Sequence, residues 1–320
     1  MPSHFPLVTV ISPCYNHSQF VIESLESIKN QTYPNIEHII IDDCSTDDSV
    51  EKIEKWINDN NYNCKFIKHK VNKGISATLN ESIVIAKGLF WSALATDDFA
   101  KVERTEKLFD LINKSNAYMV TSDCELIDLF GNSISINNTN SFLEYYLSKL
   151  NNNKIENYGK YCSLIKGNYI PSSLLIRKSV FEKTGLFDEA LKTEDWDMWL
   201  RISAVSPIVH LDEKLTKYRW HSLNTIKTYK DFEKDTIKIY IKQGLLPFKN
   251  GCGLIFIKKV REVYRINCKD VWDKESHKLF KFSLSYFFIL DYVVVRILKM
   301  QLIRLGLALK YKVFNKIKIL

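Results

Sequence analysis

The sequence has few glycines and prolines and no closely spaced cysteine pair. Its 10 glycines and 7 prolines among 320 residues are too few for a collagen-like or low-complexity chain. The seven cysteines are an odd number without any C-x-x-C pair, which argues against a disulfide framework and a cysteine-rich zinc site. We therefore expect reduced thiols. Residues 1–13 lack a basic region followed by an apolar one, so we expect a cytoplasmic protein.

Two common phosphate-binding motifs are also missing. No G-x-G-x-x-G follows the first predicted strand, and no G-x-x-x-x-G-K-[ST] occurs anywhere, which argues against dinucleotide oxidoreductases and P-loop enzymes. The formal net charge of +8 is uneven, because residues 281–320 hold eight Lys/Arg and the single acid Asp291. The rest of the chain is nearly neutral. This distribution does not fit a nucleic-acid binder, whose basic residues line a face of the folded domain.

Strand-like and helix-like apolar periods alternate along the first third of the chain. They predict strands at 7–12, 36–41, 64–69 and 89–94, each followed by a helix, at 18–30, 47–57, 75–86 and 101–112. Four such units predict an α/β fold with a doubly wound, mostly parallel sheet and helices on both faces. In such sheets, ligands bind beyond the carboxyl ends of the strands.

Later segments are less regular. Further strands are predicted at 117–123, 170–176, 208–211 and 215–220, short helices at 179–183 and 194–203, and an Asn-rich insertion at 137–157. We expect one domain over residues 1–225 and a helical C-terminal region over residues 226–320.

Polar and acidic residues collect just after each of the first four strands. The segments are Pro13-Cys-Tyr-Asn16, Asp42-Asp-Cys-Ser-Thr-Asp-Asp48, Asn72-Lys-Gly74 and Ala95-Thr-Asp-Asp98. Helix capping accounts for Ser45 or Thr46. Capping does not account for paired acids at the ends of two strands, so these segments predict a ligand site.

The acids suggest specific chemistry. Adjacent Asp97 and Asp98, with no cysteine or histidine cluster nearby, favour Mg²⁺ or Mn²⁺ held partly by a substrate's phosphates. Such an ion neutralises charge on a departing diphosphate. Asp195 begins a later helix, where a carboxylate also suits the helix dipole. If it crosses the cleft, it can take a proton from an acceptor hydroxyl in a single, inverting displacement. His221 is either a metal ligand or a packed or surface residue.

These segments resemble, in order, the motifs of the family 2 inverting glycosyltransferases, which have the GT-A fold. Val8 to Asn16 resembles the opening strand, which implies that Tyr15 lies against the nucleotide base. Ile41 to Asp47 resembles the second motif, which implies that Asp43, with Asp42 beside it, accepts a hydrogen bond from the base. Asn72 to Gly74, Asn80 and Gly88 match the spacing of the segment that leads to the metal motif.

The family's metal motif commonly reads Asp-x-Asp-Asp, and here Ala95 stands in the first position. Glu194-Asp195 resembles the acidic pair whose aspartate is the general base. Tyr218-Arg-Trp-His221 resembles a late motif whose histidine reaches the metal or the diphosphate. The resemblance thus implies metal ligands at Asp97, Asp98 and His221, and donor contacts at Pro13, Tyr15, Asn16, Asp42, Asp43, Lys73, Gly74, Asp97 and Arg219. Lys73 is equally interpretable as a solvated loop lysine.

The resemblance implies transfer of a sugar from a nucleoside diphosphate sugar, most simply a UDP sugar, to a hydroxyl of a glycan or lipid-linked acceptor in cell-surface polysaccharide synthesis. The substitution at Ala95 leaves a second hypothesis open, a non-catalytic binding module of the same fold. A nucleotidyltransferase is disfavoured because Pro13 to Asn16 is not a glycine-rich loop. The apolar, basic segment 281–320 predicts a helix at a membrane surface; packing on the catalytic domain or on a second subunit is the alternative.

Overall fold

The computed structural model describes residues 5–134, 159–165, 173–222, 224, 232–244, 246–253, 255–256 and 258–259. All of them belong to one compact unit, Met1–Val263. The insertion predicted at 137–157 and the basic tail at 281–320 lie outside the described residues. The described cysteines are free thiols, as expected. Every helix in the described residues is too short or too polar to cross a lipid bilayer.

A mixed sheet forms the centre of this unit. Its strands are β1 (Val8–Cys14), β2 (Ile36–Asp42), β3 (Lys65–Lys68), β4 (Phe90–Ala93), β5 (Phe99–Ala100), β6 (Met119–Ile127), β7 (Leu174–Arg177) and β8 (Val209–Arg219). Their order is β3-β2-β1-β4-β7-β6-β8-β5. Strands β3, β2, β1 and β4 are mutually parallel, as are β6 and β8. Only β7 and β5 run against their neighbours in the described sheet. The prediction of a mostly parallel α/β sheet is confirmed.

The first four helices lie close to the positions that the apolar periodicity predicts. The helices of the described residues are α1 (Val21–Lys29), α2 (Ser49–Asp59), α3 (Ile75–Ile85), α4 (Arg104–Ser115), α5 (Tyr161–Leu164), α6 (Phe181–Thr184), α7 (Glu194–Val205), α8 (Phe232–Gln243) and α9 (Leu246–Lys249). A 3₁₀ turn, Lys178–Val180, precedes α6.

Apolar side chains cover both faces of the sheet. Every residue of β1 is buried, and its side chains alternate between the two faces. Ile11 belongs to the cluster that includes Leu79 of α3, whereas Val8 and Val10 belong to the cluster that includes Leu108 of α4. The hydrophobic core therefore fixes the central strands, and the polar loops extend from their ends.

Two details differ from the sequence prediction. The runs at 208–211 and 215–220 form one strand, β8, whose pairing with β6 shifts register around Asp123. The exposed residues Asp212, Glu213 and Lys214 lie at this irregularity, which is why the apolar pattern breaks there. The two-residue strand β5 is too short to produce an alternating pattern and was not predicted.

Helix α8 packs against the helix that carries Asp195. The Tyr240 and Trp196 rings lie 5.7 Å apart, and the Tyr240 hydroxyl donates to the Ile165 carbonyl at 3.1 Å. The first part of the predicted C-terminal region thus contacts the domain predicted over residues 1–225. The division of the chain at residues 225 and 226 stays a prediction.

Candidate active site

The sheet directions bring the predicted loops to one edge. Strand β7 is antiparallel to both β4 and β6, so β6 and its parallel partner β8 run in the same direction as β1, β2 and β4. The carboxyl ends of these strands lie at Cys14, Asp42, Ala93 and Arg219 among others. The predicted motifs that follow these strands therefore begin at the same edge, as expected for a ligand site in such a sheet.

Asp97, after β4, faces two histidines from other segments. Its Oδ2 lies 3.0 Å from His221 Nε2, beyond the end of β8, and 3.7 Å from His17 Nε2, beyond the end of β1. One ligand atom from each of these three residues lies within 4.8 Å of the others. Burial opposes the ionisation of Asp97, but the charge of His17 and the hydrogen bond from His221 outweigh it and lower the pKa. The structure thus brings Asp97 and His221 together, as the sequence predicts.

Asp98 points to a different partner. Its Oδ1 accepts the backbone N–H of Arg219 at 3.0 Å, and the side chain is 3% exposed. Burial and the neighbouring charge of Asp97 raise the pKa of Asp98 well above its ordinary value. This hydrogen bond therefore joins Asp98 to the end of β8. Its function as a metal ligand stays a prediction.

The guanidinium of Arg219 is engaged by protein groups. Nε donates to the Asp97 carbonyl at 2.9 Å, Nη1 to the carbonyls of Asp128 and Leu129, and Nη2 pairs with Glu23. These contacts fix the loop that holds Asp97. A donor contact from this side chain, which is 2% exposed, stays a prediction.

The segment after β1 leaves one aromatic ring accessible. Tyr15 is 45% exposed, whereas Pro13 is buried and its carbonyl accepts the Thr96 N–H at 3.2 Å. Asn16 has a φ of 57°, a left-handed conformation that asparagine tolerates, and its Oδ1 accepts the Thr46 N–H at 2.8 Å. The loops after β1 and β2 are therefore joined beside an exposed tyrosine.

The two acids at the end of β2 shape neighbouring loops. Asp42 accepts the backbone N–H of Ser45 at 2.9 Å and also its hydroxyl. Asp43 accepts the backbone N–H groups of Lys73 and Gly74, both at 2.8 Å, one on each carboxylate oxygen. Asp43 therefore positions the loop after β3.

Two smaller details complete this edge. Lys73 Nζ pairs with Glu81 at 2.8 Å and is partly exposed. The expectation that Ser45 or Thr46 caps α2 is wrong, because α2 begins at Ser49 with Asp48 at the N-cap position, and Asp47 Oδ1 accepts the Ser49 N–H.

Glu194 and Asp195 form the first turn of α7, next to the loop after β3. The Ser76 hydroxyl donates to the Leu191 carbonyl at 3.3 Å, and Lys192 Nζ lies 3.6 Å from where a Cβ on Gly74 would be. Glu194 is 8% exposed, and its pKa is raised well above the ordinary value by burial and the charge of Asp195. Asp195 is half-buried and accepts the Trp196 N–H at 2.6 Å. Asp195 is thus the more accessible acid of the pair.

Two residues of this edge were not found by sequence reasoning. His17 directly follows Asn16, but only the fold brings it to Asp97, which lies 80 positions away. Asp235, on α8, accepts the backbone N–H groups of Lys192 and Thr193 at 2.7 and 3.3 Å. No motif marks it, because its function is to receive hydrogen bonds from a distant backbone segment.

Comparisons with known proteins agree with this architecture. A Rickettsia felis protein named an uncharacterized glycosyltransferase is 34% identical over 222 residues, which span 68% of this chain and 35% of that protein. The chain therefore spans about a third of that relative's length. Staphylococcus aureus TarS, solved with UDP-GlcNAc, has a TM-score of 0.57 at 19% identity over 75% of this chain and 66% of TarS.

A mannosyltransferase from Pyrobaculum calidifontis, solved with GDP-Man and Mn²⁺, has a TM-score of 0.55 at 13% identity over 89% of this chain and 81% of that structure. These likenesses confirm the GT-A fold. Residues 9–185 match the model of the family described as glycosyl transferase family 2. This chain is a glycosyltransferase that belongs to glycosyl transferase family 2.

Proposed function

We propose that this chain is a metal-dependent, inverting glycosyltransferase that moves a sugar from a nucleoside diphosphate sugar, with UDP the first candidate nucleotide. The acceptor is a hydroxyl of a glycan or lipid-linked molecule in cell-surface polysaccharide synthesis. The observation that carries the proposal is the meeting of Asp97 and His221 beyond the carboxyl ends of β4 and β8, at the edge where the loop with Tyr15 also begins. Related folds hold UDP-GlcNAc in TarS, and GDP-Man with Mn²⁺ in the mannosyltransferase.

The donor nucleotide binds beside the loops after β1 to β3. The exposed Tyr15 ring offers a stacking surface for the base. Asp42, Asp43 and Asn16 keep these loops in place through backbone hydrogen bonds. Lys73 and Gly74 lie in the loop after β3, where the exposed Lys73 ammonium group, which pairs with Glu81, can turn to a diphosphate.

Asp97 and His221 fit a divalent cation. A carboxylate oxygen and an imidazole nitrogen at 3.0 Å are donors that Mn²⁺ accepts, and Mg²⁺ accepts the carboxylate. When bound, the ion offsets the negative charge that develops on the departing diphosphate. Asp98 and Arg219 hold the loop that presents Asp97.

Asp195 acts as the general base. Its carboxylate takes the proton of the acceptor hydroxyl while that oxygen forms a bond to the anomeric carbon of the sugar. The bond from this carbon to the diphosphate oxygen breaks in the same step, and the electron pair leaves with the nucleoside diphosphate. One displacement inverts the anomeric configuration. Burial and the charge of Asp195 raise the pKa of Glu194, which favours the neutral form of that neighbour.

Asp195→Asn tests the base assignment. We expect turnover of a UDP sugar with Mn²⁺ to fall by about 10²- to 10⁴-fold, because an amide cannot take the proton. Affinity for UDP with Mn²⁺, measured by calorimetry, should stay unchanged. Glu182→Gln, which removes an exposed carboxylate on α6, is the matched control. Full turnover in Asp195→Asn would refute Asp195 as the base.

A binding module is the alternative, and Ala95 in the metal motif is the observation that favours it. In that case the wild type binds the nucleotide sugar but shows no transfer or donor hydrolysis with any divalent ion, and Asp195→Asn behaves in the same way.

We also propose that the basic segment 281–320 associates with an anionic membrane surface, on the basis of its charge and apolar composition alone. Co-sedimentation of the full chain with vesicles tests this. Binding should be stronger to vesicles that contain anionic lipid than to zwitterionic vesicles, and should weaken as salt concentration rises.

A further inference from the structure

The metal motif lacks its first acid, and a histidine from another loop lies beside Asp97 and Thr96. Ala95 cannot ligate an ion, whereas His17 Nε2 lies 3.7 Å from Asp97 Oδ2. The His17 and His221 rings are 6.2 Å apart and nearly perpendicular. Two ligands of one small divalent ion, each about 2.1 Å from it, lie about 3.0 Å apart at right angles and about 4.2 Å apart in opposite positions. The three ligand atoms, all within 4.8 Å of one another, are close to this range.

Thr96 orients the His17 ring. The Thr96 hydroxyl donates its single hydrogen to the Pro13 carbonyl at 3.1 Å. It can accept from His17 Nδ1, which lies 2.9 Å from it, in the tautomer that carries its proton on Nδ1. In the neutral ring this leaves the Nε2 lone pair on the side of Asp97. A hydrogen bond from one ring nitrogen to a fixed acceptor is how proteins commonly orient a metal-binding histidine.

The backbone at His17 is also held in place. Its N–H donates to the Ser49 hydroxyl at 3.1 Å, and the Asn16 N–H donates to the Ser45 hydroxyl at 2.9 Å. The ring is thus fixed through both its main chain and its side chain. Asp98, by contrast, directs an oxygen to the Arg219 backbone.

We propose that His17 is the third protein ligand of the metal, with His221 and Asp97, and that it supplies the ligand that the motif lost at Ala95. This inference rests on the proposed metal-dependent function. Two imidazoles and one carboxylate favour Mn²⁺ over Mg²⁺, which prefers an all-oxygen set. The remaining coordination positions stay open for the diphosphate oxygens of the donor.

The test measures Mn²⁺ binding to the full chain in the presence of UDP by electron paramagnetic resonance. The wild type should bind Mn²⁺ with nitrogen couplings from two imidazoles in the electron spin echo spectrum. His17→Ala should show one imidazole and an affinity at least about tenfold lower. Thr96→Val, which removes the acceptor that orients the ring, should lower the affinity about tenfold with both imidazoles retained. His210→Ala, which removes a histidine paired with Asp123 outside the cluster, should match the wild type.

The possible results separate the two proposals. If the wild type binds Mn²⁺ with UDP but shows a single imidazole, the proposed set with both His17 and His221 is wrong, whereas the metal-dependent function stands. That spectrum needs no variant, so it decides the question even if His17→Ala fails to fold. Unchanged Mn²⁺ affinity in a folded His17→Ala would overturn the proposal in the same way. If the wild type binds UDP but no Mn²⁺, the proposed metal dependence fails as well.

Discussion

His38 is a fully enclosed imidazole, and this gives the fold a defined sensitivity to acid. The residue is 2% exposed, and its Nε2 lies 2.9 Å from the Ser12 hydroxyl. Burial lowers the pKa of His38 to about 3, from 6.5. Below pH 6.5 the unfolded chain therefore binds a proton at this ring, whereas the folded protein stays neutral there until about pH 3. The contribution to stability is complete above pH 6.5 and declines as the pH falls.

His38→Gln should make the stability less dependent on pH. A proton bound only by the unfolded chain changes the free energy of unfolding by about 1.4 kcal/mol per pH unit, or roughly 2 kcal/mol between pH 6.5 and 5. Urea denaturation at pH 7, 6 and 5 measures this. The variant should be less stable than the wild type at pH 7, and the difference should shrink at pH 5. If the stability of the wild type and of His38→Gln changed equally with pH, this prediction would be wrong, since the two proteins share every other titrating group.

At the level of residues, sequence reasoning finds the side chains that belong to contiguous motifs. Asp97 and His221 meet, as the family resemblance implies, because each lies just beyond the carboxyl end of a strand. Sequence reasoning does not identify His17 and Asp235, and the reason is physical. Their functions arise from contacts with residues more than 40 positions away, and no local period or spacing encodes such contacts.

Gly88 shows how one position sets the approach of two strands. A Cβ at this residue would lie 2.7 Å from the Thr9 nitrogen and 2.8 Å from the Leu7 carbonyl oxygen, both main-chain atoms of the segment that becomes β1. These atoms cannot move without disturbing the pairing of Val8 with Phe90. Gly88 is therefore needed for close packing of the backbone.

Gly88→Ala should destabilise the protein by about 1–3 kcal/mol, as overpacking of a rigid core does. Leu89→Ala is the control, because its side chain is 67% exposed and should change stability by less than about 0.5 kcal/mol. Thermal unfolding of both variants compares them. If Gly88→Ala were as stable as the control, the backbone at residue 88 could move away from Leu7 and Thr9 without a loss of stability.

Asp235 connects α8 to the start of α7, and this connection should affect turnover. Asp235→Ala leaves the N–H groups of Lys192 and Thr193 without their acceptor, at a cost of about 1–3 kcal/mol. The freed segment directly precedes Asp195, so kcat should fall while KM for the donor changes little. Lys238→Ala removes an exposed partner of Asp235 at 3.5 Å, together with a 3.5 Å hydrogen bond to the Ala190 carbonyl, and serves as the control. Equal kcat in the two variants would argue against a positioning function for Asp235.

The element order could be predicted because the core dictates it. Each buried strand followed by an amphipathic helix leaves a period that the sequence retains, as in β1 with α1. Strand β8 was divided in two because its exposed bulge at Asp212 to Lys214 interrupts the period. The antiparallel direction of β7 cannot be predicted from the local sequence pattern either, because it depends on which strands β7 pairs with.

At the scale of the whole molecule, donor and metal should stabilise the fold together. If the ion bridges Asp97, His221 and the diphosphate, UDP and Mn²⁺ each bind more tightly in the presence of the other, and this coupling is reciprocal. A ligand at 100 times its dissociation constant adds about 2.7 kcal/mol to the stability of the native state. For a domain of this size that corresponds to a rise in Tm of roughly 5–10 °C.

Thermal unfolding with UDP alone, Mn²⁺ alone and both together measures the coupling. The wild type should show a larger rise with both than the sum of the separate rises. Asp97→Asn should lose this excess while retaining the rise caused by UDP alone, because it removes the anionic ligand and leaves Tyr15 and the surrounding loops intact. Asp110→Asn, an exposed carboxylate on α4, should behave as the wild type. Strictly additive rises in the wild type would mean that nucleotide and metal occupy independent sites, which is incompatible with an ion shared between Asp97 and the diphosphate.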